Sequence, residues 1–190
     1  MKNKLIVILA LLMAVLCLMA GCATNETTDT TDTAATTAEQ TERSVIYEAI
    51  FLDNDEITNL FVSMRGETAP FDNVTKDFHV TTEYMPAESH SEWYGEKITV
   101  HITAYAVQDI TADDGQTTSN EGFKAEVTSE NEELNAYLES LNKNFHITGA
   151  YKDAAKYTEY VDFSQGEAVD FTVTGTFGGY YSDGVIELGE

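Results

Sequence analysis

Two short segments of the chain have nearly the same sequence. Residues 76–81 read Lys-Asp-Phe-His-Val-Thr, and residues 143–148 read Lys-Asn-Phe-His-Ile-Thr. All six positions match, either identically or conservatively. A segment that recurs at a fixed separation indicates that one structural unit is present twice. The chain therefore contains two copies of one unit, at about residues 45–110 and 122–190.

The residues around each segment repeat the same order of elements. A strand-like run comes first, at 47–52 and again at 123–128. A pair of residues with the spacing of a helix capping box follows, and then an apolar stripe with helical periodicity. Each His-x-Thr segment leads to a Gly-Glu pair and a long alternating strand, at 97–108 and 168–177. Both copies are therefore predicted to fold as strand, helix, strand with His-x-Thr, and long strand. The capping pairs are Asp53 with Glu56 and Ser129 with Glu132.

The two His-x-Thr segments carry the candidate chemistry. Side chains alternate along a strand, so His79 and Thr81 are predicted to share one face, with Tyr84 on the other. His146 and Thr148 share a face in the same way, with Tyr151 opposite. An imidazole has a pKa near 6.5, so one histidine can take a proton while the other gives one.

Two histidines and two threonines suit a cyclic phosphate. For a 2′,3′-cyclic phosphate, one histidine would activate water and the other would protonate the departing ribose oxygen. The hydroxyl groups would hold the non-bridging oxygens, and no metal is required.

The duplicated motif resembles the 2H phosphoesterase superfamily, which includes RNA 2′–5′ ligase-like proteins and cyclic nucleotide phosphodiesterases. The resemblance covers about residues 47–188. It implies an α+β fold with two pseudo-symmetric lobes, each an antiparallel sheet plus a helix, and a central cleft. His79 and His146 would be catalytic there, and Thr81 and Thr148 would bind phosphate. The family usually has an apolar residue after each motif, and this chain departs from it with Thr82 and Gly149.

Other residues could belong to the same cleft. Trp93 and Tyr94 could form a stacking platform for a base at its rim, or could pack in the core. His101 is a third His-x-Thr match, but alignment of the copies puts Thr172 in its place. It is therefore predicted to be an ordinary strand residue, and His90 a loop residue.

Lys76 and Lys143 each precede one His-x-Thr motif and could support a phosphate. Strand alternation places Lys76 and Lys143 on the face opposite to the histidines.

The N-terminus is typical of an exported lipoprotein. Lys2 and Lys4 precede an apolar run at 5–19, which ends in Leu-Met-Ala-Gly-Cys at 18–22. The run is too short to span a bilayer easily and resembles a signal peptide with a lipobox. Residues 1–22 are predicted to be this signal, with lipid attached to Cys22. Residues 23–44 contain nine threonines and no apolar period, which predicts a disordered acidic tether.

Charge limits the partners. The predicted domain, 45–190, holds 7 basic and 28 acidic residues, a formal charge of −21. Such a domain lacks the basic surface that long nucleic acid requires. We therefore expect a small nucleotide or cyclic phosphate as ligand, no cofactor, and a monomer on the outer face of the bacterial cell membrane.

The sequence leaves two alternatives open. The first is a non-catalytic ligand-binding or surface-interaction lipoprotein on the same fold, in which the two histidines are only buried strand residues. The second is an unrelated β-sandwich binding module in the second half, prompted by the long strands.

Overall fold

The computed structural model describes residues 43–113 and 115–189. The predicted signal peptide, Cys22 and almost all of the predicted tether lie outside the described residues. The folded part begins slightly before residue 45. Arg43 forms ion pairs with Asp183, at 2.9 Å, and with Glu187, and its guanidinium lies 3.8 Å from the centroid of the Tyr181 ring.

The described residues form eight strands and two α-helices. The first copy contributes β1, α1, β2, β3 and β4, and the second copy contributes β5, α2, β6, β7 and β8. Their bounds are β1 Val45–Phe51, α1 Asn54–Arg65, β2 Asn73–Val74, β3 His79–Tyr84, β4 Lys97–Thr111, β5 Thr117–Ser129, α2 Glu132–Ser140, β6 His146–Tyr151, β7 Glu167–Tyr181 and β8 Ile186–Glu187.

The expected α+β architecture of two lobes around a central cleft is wrong. All eight strands belong to one antiparallel sheet, in the order β2-β6-β5-β4-β7-β1-β3 with β8 on β7. The sheet is not closed into a barrel. The fold is therefore mainly antiparallel β, with two helices packed on a single sheet.

The long strands cause this difference, because they join the two copies into one sheet. β4 pairs with β7 along most of its length, so the last long strand of each copy is hydrogen-bonded to the other. β4 also continues to Thr111 and turns directly into β5. Within the polar stretch at 111–122, residues 117–122 already belong to β5, so only a short turn separates the two copies in the sheet.

The repeat is nevertheless visible in the strand order. The six longer strands lie in the order β6-β5-β4-β7-β1-β3. The counterparts in the two copies are β1 and β5, β3 and β6, and β4 and β7. When each strand is replaced by its counterpart, the same order is obtained from the opposite end of the sheet. His101 and Thr172, which the copy alignment made equivalent, lie directly opposite each other in the β4–β7 pair. The two copies are thus related by an approximate twofold axis that passes through the middle of the sheet.

One face of the sheet carries the hydrophobic core. Ile57 and Phe61 of α1 and Leu134 and Leu138 of α2 are buried there against the strands. Asp53 caps α1 as predicted, because its side chain accepts a hydrogen bond from the Glu56 amide at 2.9 Å.

The cap of α2 differs from the prediction. Asn131, rather than Ser129, accepts hydrogen bonds from the first amides of the helix. Within the described ranges, neither helix has the length and apolarity to cross a membrane.

Candidate functional site

Four predicted side chains line one pocket. They are the histidines and threonines of the two His-x-Thr segments, which belong to β3 and β6 near the two ends of the sheet. The pocket is lined by Tyr47, Val74, Thr75, Lys76, Asp77, His79, Thr81, Tyr84, His146, Thr148, Tyr151, Ala155, Lys156 and Tyr180. Each copy of the repeat thus contributes one imidazole and one hydroxyl group to the same opening.

The curvature of the sheet brings these strands together. β3 is the strand at one end, and β6 is next to the last at the other end. The sheet curls until β3 and β6 approach each other, although they are not hydrogen-bonded as a strand pair. The short strand β2 strengthens this approach, because it pairs with β6 and belongs to the segment that leads into β3.

Each imidazole is held by a matching hydrogen bond. His79 Nδ1 lies 2.8 Å from the carbonyl oxygen of Asp77, and His146 Nδ1 lies 3.0 Å from that of Asn144. A carbonyl can only accept, so Nδ1 carries the hydrogen in both rings. Nε2 is then the nitrogen that is free to take a proton in the neutral ring and to give one in the charged ring.

Burial shifts the proton affinity of both rings in the same direction. Desolvation lowers the pKa of His79, and the charge of His146 lowers it further, although the Asp77 carbonyl opposes the shift. Desolvation also lowers the pKa of His146, with a smaller effect from Lys143, against the Asn144 carbonyl and Glu159. Repulsion between the rings disfavours double protonation. A bound phosphate anion would favour one imidazolium, which leaves one acid and one base.

Strand alternation assigned two tyrosines to the wrong face, because each of them follows a β-bulge. The register of β3 against β1 slips near Thr82, and that of β6 against β5 slips near Gly149. An extra residue in a strand re-aims the side chains that follow it. Tyr84 and Tyr151 therefore line the pocket with the histidines instead of facing away from them.

The same bulges contain Thr82 and Gly149, the residues that directly follow the two His-x-Thr segments. Thr82 is wholly buried. A Cβ at Gly149 would lie 2.5 Å from the Phe61 ring and 2.6 Å from a Glu121 carboxylate oxygen, so only glycine fits there.

The pocket has an unusual charge for this chain. The whole protein has 33 acidic and 10 basic residues, whereas the lining includes two lysines and one aspartate. Lys76 was predicted to face away from the histidines. β3 begins only at His79, so strand alternation does not extend back to Lys76. Lys156 was not identified from the sequence, because it follows the second motif with no counterpart in the first copy. Lys143 is directed elsewhere and donates to the Thr82 carbonyl oxygen at 2.5 Å.

A stack of aromatic rings supports His79. The ring centroid of Tyr47 lies 5.0 Å from that of His79 with 18° between the planes, and 4.9 Å from that of Tyr180 with 15°. Burial raises the pKa of Tyr47 to about 12, with smaller effects from Tyr180 and Asp77, so the phenol stays neutral. The stack fixes the plane of the His79 ring, and nothing in the local sequence near residue 79 indicated it.

The two threonines differ in their hydrogen bonds. Thr148 Oγ1 donates to Thr158 Oγ1 at 3.0 Å, and Thr158 in turn donates to the Ala155 carbonyl. The Thr81 hydroxyl makes no hydrogen bond to any residue that the structure describes. Thr81 can therefore donate to a ligand at once, whereas the Thr148 hydroxyl must first turn away from Thr158.

The remaining predicted residues lie elsewhere. Trp93 stacks on His90 and contacts Phe177, and Tyr94 also packs near Phe177. Neither lines the pocket, so the structure does not place a base-stacking platform there.

His101 lies in the middle of β4, away from the pocket. Its Nε2 is 3.0 Å from an Asp170 carboxylate oxygen.

Comparison of the chain with protein-family models, with curated proteins and with solved structures gives no match. The geometry of the pocket itself is therefore the basis for assigning a function.

Proposed function

We propose that the protein is a metal-independent phosphoesterase that hydrolyses a small 2′,3′-cyclic phosphate or related nucleotide. The strongest support is the convergence of His79, Thr81, His146 and Thr148 on one pocket, with both imidazoles turned so that Nε2 is the reactive nitrogen. The predicted lipobox adds the proposal that the enzyme acts outside the cell, attached to the membrane through Cys22.

The proposed reaction uses the two histidines in opposite protonation states. The neutral imidazole removes a proton from water as the water oxygen bonds to phosphorus. The imidazolium gives its Nε2 proton to the ribose oxygen as the bond from that oxygen to phosphorus breaks. Hydroxyl groups of Thr81 and Thr148 donate to the non-bridging oxygens. The two histidines then exchange protons with solvent, which restores the starting state.

Substrate size follows from the charge distribution. Lys76 and Lys156 can neutralise charge inside the pocket, whereas the protein as a whole has a formal charge of −23. A long polyanion would meet repulsion outside the pocket without further basic groups to displace its counterions. A mononucleotide-sized substrate fits this distribution best.

The test is hydrolysis of a 2′,3′-cyclic mononucleotide by the full chain and three alanine variants. His79→Ala and His146→Ala should each lower kcat/KM by about 100-fold or more, the usual contribution of an acid–base group. His101→Ala is the matched control and should retain nearly full activity, since His101 also lies on a strand in a His-x-Thr sequence but outside the pocket. Equal losses in all three variants, or no hydrolysis by the wild type, would refute the proposal. Ligand binding without hydrolysis would instead support the non-catalytic alternative.

A further inference from the structure

The two copies of the repeat each bury one glutamate at the same place. Glu48 lies at the bulge of the β1–β3 pair, and Glu121 lies at the bulge of the β5–β6 pair. Both are wholly buried. Glu121 has a permanent cationic partner, because Arg65 forms an ion pair with it. The Tyr105 hydroxyl also donates a hydrogen bond to Glu121, at 2.7 Å. A buried carboxylate requires compensation of this kind.

Glu48 is compensated differently. Its carboxylate accepts from the His90 amide at 2.7 Å and the Tyr94 hydroxyl at 3.1 Å, and lies 2.8 Å from His90 Nδ1. A second carboxylate, Glu83, is directly opposite it in the sheet. Like charges opposite each other in a strand pair are destabilising.

Basic side chains do not resolve this repulsion. No lysine or arginine among the described residues forms an ion pair with Glu48 or Glu83. Lys143 comes nearby, but its ammonium group donates to the Thr82 carbonyl. Even with His90 protonated, the group carries a net negative charge.

These three side chains have the arrangement of a metal site. One ligand atom from each of Glu48, Glu83 and His90 lies within 4.8 Å of the other two. They come from β1, β3 and the loop before residue 91, so an ion would connect three separate parts of the fold. Glu83 and His90 are only partly buried, which leaves a path from solvent.

The surroundings hold the three ligands in place. The Tyr137 hydroxyl donates to Glu83 at 3.0 Å, and the His90 ring is stacked on Trp93 with 3° between the planes. Supporting contacts of this kind orient the ligands of a metal ion.

A buried hydroxyl group at the same place has no hydrogen bond of good geometry. Thr82 is wholly buried, and its side chain lies beside the Tyr137 hydroxyl that contacts Glu83. However, its Oγ1 forms no hydrogen bond of acceptable geometry with any of the described residues. A water molecule on a metal ion at Glu83 would offer this hydroxyl a better hydrogen bond.

We infer that Glu48, Glu83 and His90 form a binding site for a divalent transition-metal ion, with Zn²⁺ as the best match. One imidazole nitrogen and two carboxylates are ligands that Zn²⁺ accepts, and a water completes four-coordination. The ion bonds to His90 Nδ1 in place of the hydrogen there. If the ring is charged before binding, the Nδ1 proton is released to solvent. If the ring is neutral before binding, this proton moves to Nε2. The site stabilises the fold beside β3 and takes no part in the proposed hydrolysis.

The test measures Zn²⁺ binding to the full chain by titration calorimetry, in a Cys17→Ser/Cys22→Ser background because thiolates also bind zinc. We expect one strong site per chain, with a higher melting temperature when zinc is present. Glu83→Gln should weaken zinc binding by roughly 100-fold or more. Mutation of a residue that only supports a metal ligand typically weakens binding by about 10–100-fold. Its side-chain carbonyl still accepts from Tyr137, so this variant should fold. His90→Gln should have the same effect.

The controls are His101→Gln and Glu126→Gln, which alter another histidine close to a carboxylate. Their affinity should equal that of the parent chain. Loss of binding in these controls, unchanged binding in folded Glu83→Gln, or binding that disappears only when His79 and His146 are replaced would overturn the assignment. So would the absence of zinc binding by the parent chain. Hydrolysis is measured separately, so failure of the zinc site leaves the proposed function untouched.

Discussion

Replacement of Tyr47 by leucine tests whether the aromatic stack holds His79 in place. Tyr47 lies between His79 and Tyr180, with centroid distances of 5.0 and 4.9 Å and nearly parallel planes. An aromatic pair contributes about 0.5–1.5 kcal/mol beyond the area that it buries. Loss of both pairs should therefore lower the free energy of unfolding by about 1–3 kcal/mol. For a domain of about 150 residues this corresponds to a fall in melting temperature of about 2–12 °C.

The substitution should also change the titration of His79. Burial lowers the pKa of that imidazole, and removal of the neighbouring ring admits water. We expect the pKa to rise toward 6.5, the value of an unperturbed histidine. Urea denaturation followed by circular dichroism gives the stability change, and NMR titration of the imidazole signals gives the pKa.

Tyr84→Leu is the matched control for this experiment. Tyr84 lines the same pocket but is 65% exposed and has no aromatic ring contact within the part of the chain that the structure describes. Its replacement should change stability by less than about 0.5 kcal/mol, as is usual for surface positions. Equal effects of the two substitutions, or an unchanged His79 pKa in Tyr47→Leu, would refute the role of the stack.

Three further predictions concern stability. Because the pKa values of His79 and His146 are lowered by burial, the unfolded chain binds more protons below about pH 6.5. The free energy of unfolding should therefore fall as pH falls from 7.5 to 5.5. Urea denaturation should show a larger fall in the wild type than in a variant with both histidines changed to glutamine. Parallel pH curves for the two proteins would contradict this. Gly149→Ala should cost about 1–3 kcal/mol by overpacking, and a melting temperature equal to that of the wild type would show that the space is larger than described. Arg65→Met should cost about 3–5 kcal/mol, since it leaves the buried Glu121 carboxylate without its cation, and addition of Glu121→Gln should recover part of that loss. A double-mutant cycle with no coupling between these two substitutions would contradict the ion pair.

Local sequence patterns predicted local structure well. The repeat located the strands that carry His79 and His146, and the Asp53 cap fixed the start of α1. These features depend on residues close together in the chain, where side-chain alternation and capping chemistry act directly. The copy alignment also identified His101 and Thr172 as equivalent, and the structure places them opposite each other.

The overall architecture depended on contacts that no local pattern contains. Pairing of β4 with β7 joins residues about 70 positions apart, and it converts two expected lobes into one sheet. Nothing in either strand distinguishes a partner in its own copy from a partner in the other, because both have the same alternating pattern.

Most of the additional pocket residues could not be predicted from the sequence, for a similar reason. Tyr47, Tyr180 and Lys156 come from separate elements and meet only after the sheet curls. Tyr84 and Tyr151 were assigned to the wrong face because each follows a β-bulge, and a bulge reverses alternation without a clear signal in the residues.

The proposed reaction requires that His79 and His146 act together on one phosphate group. The decisive experiment is NMR titration of the ¹⁵N-labelled imidazoles with a 2′- or 3′-nucleoside monophosphate, the class of product that the proposed reaction releases. We expect the Nε2 signals of His79 and His146 to shift together and to give one common Kd, while those of His90 and His101 stay unchanged. Separate affinities for the two rings, a response from only one of them, or an equal response from His101 would contradict the claim.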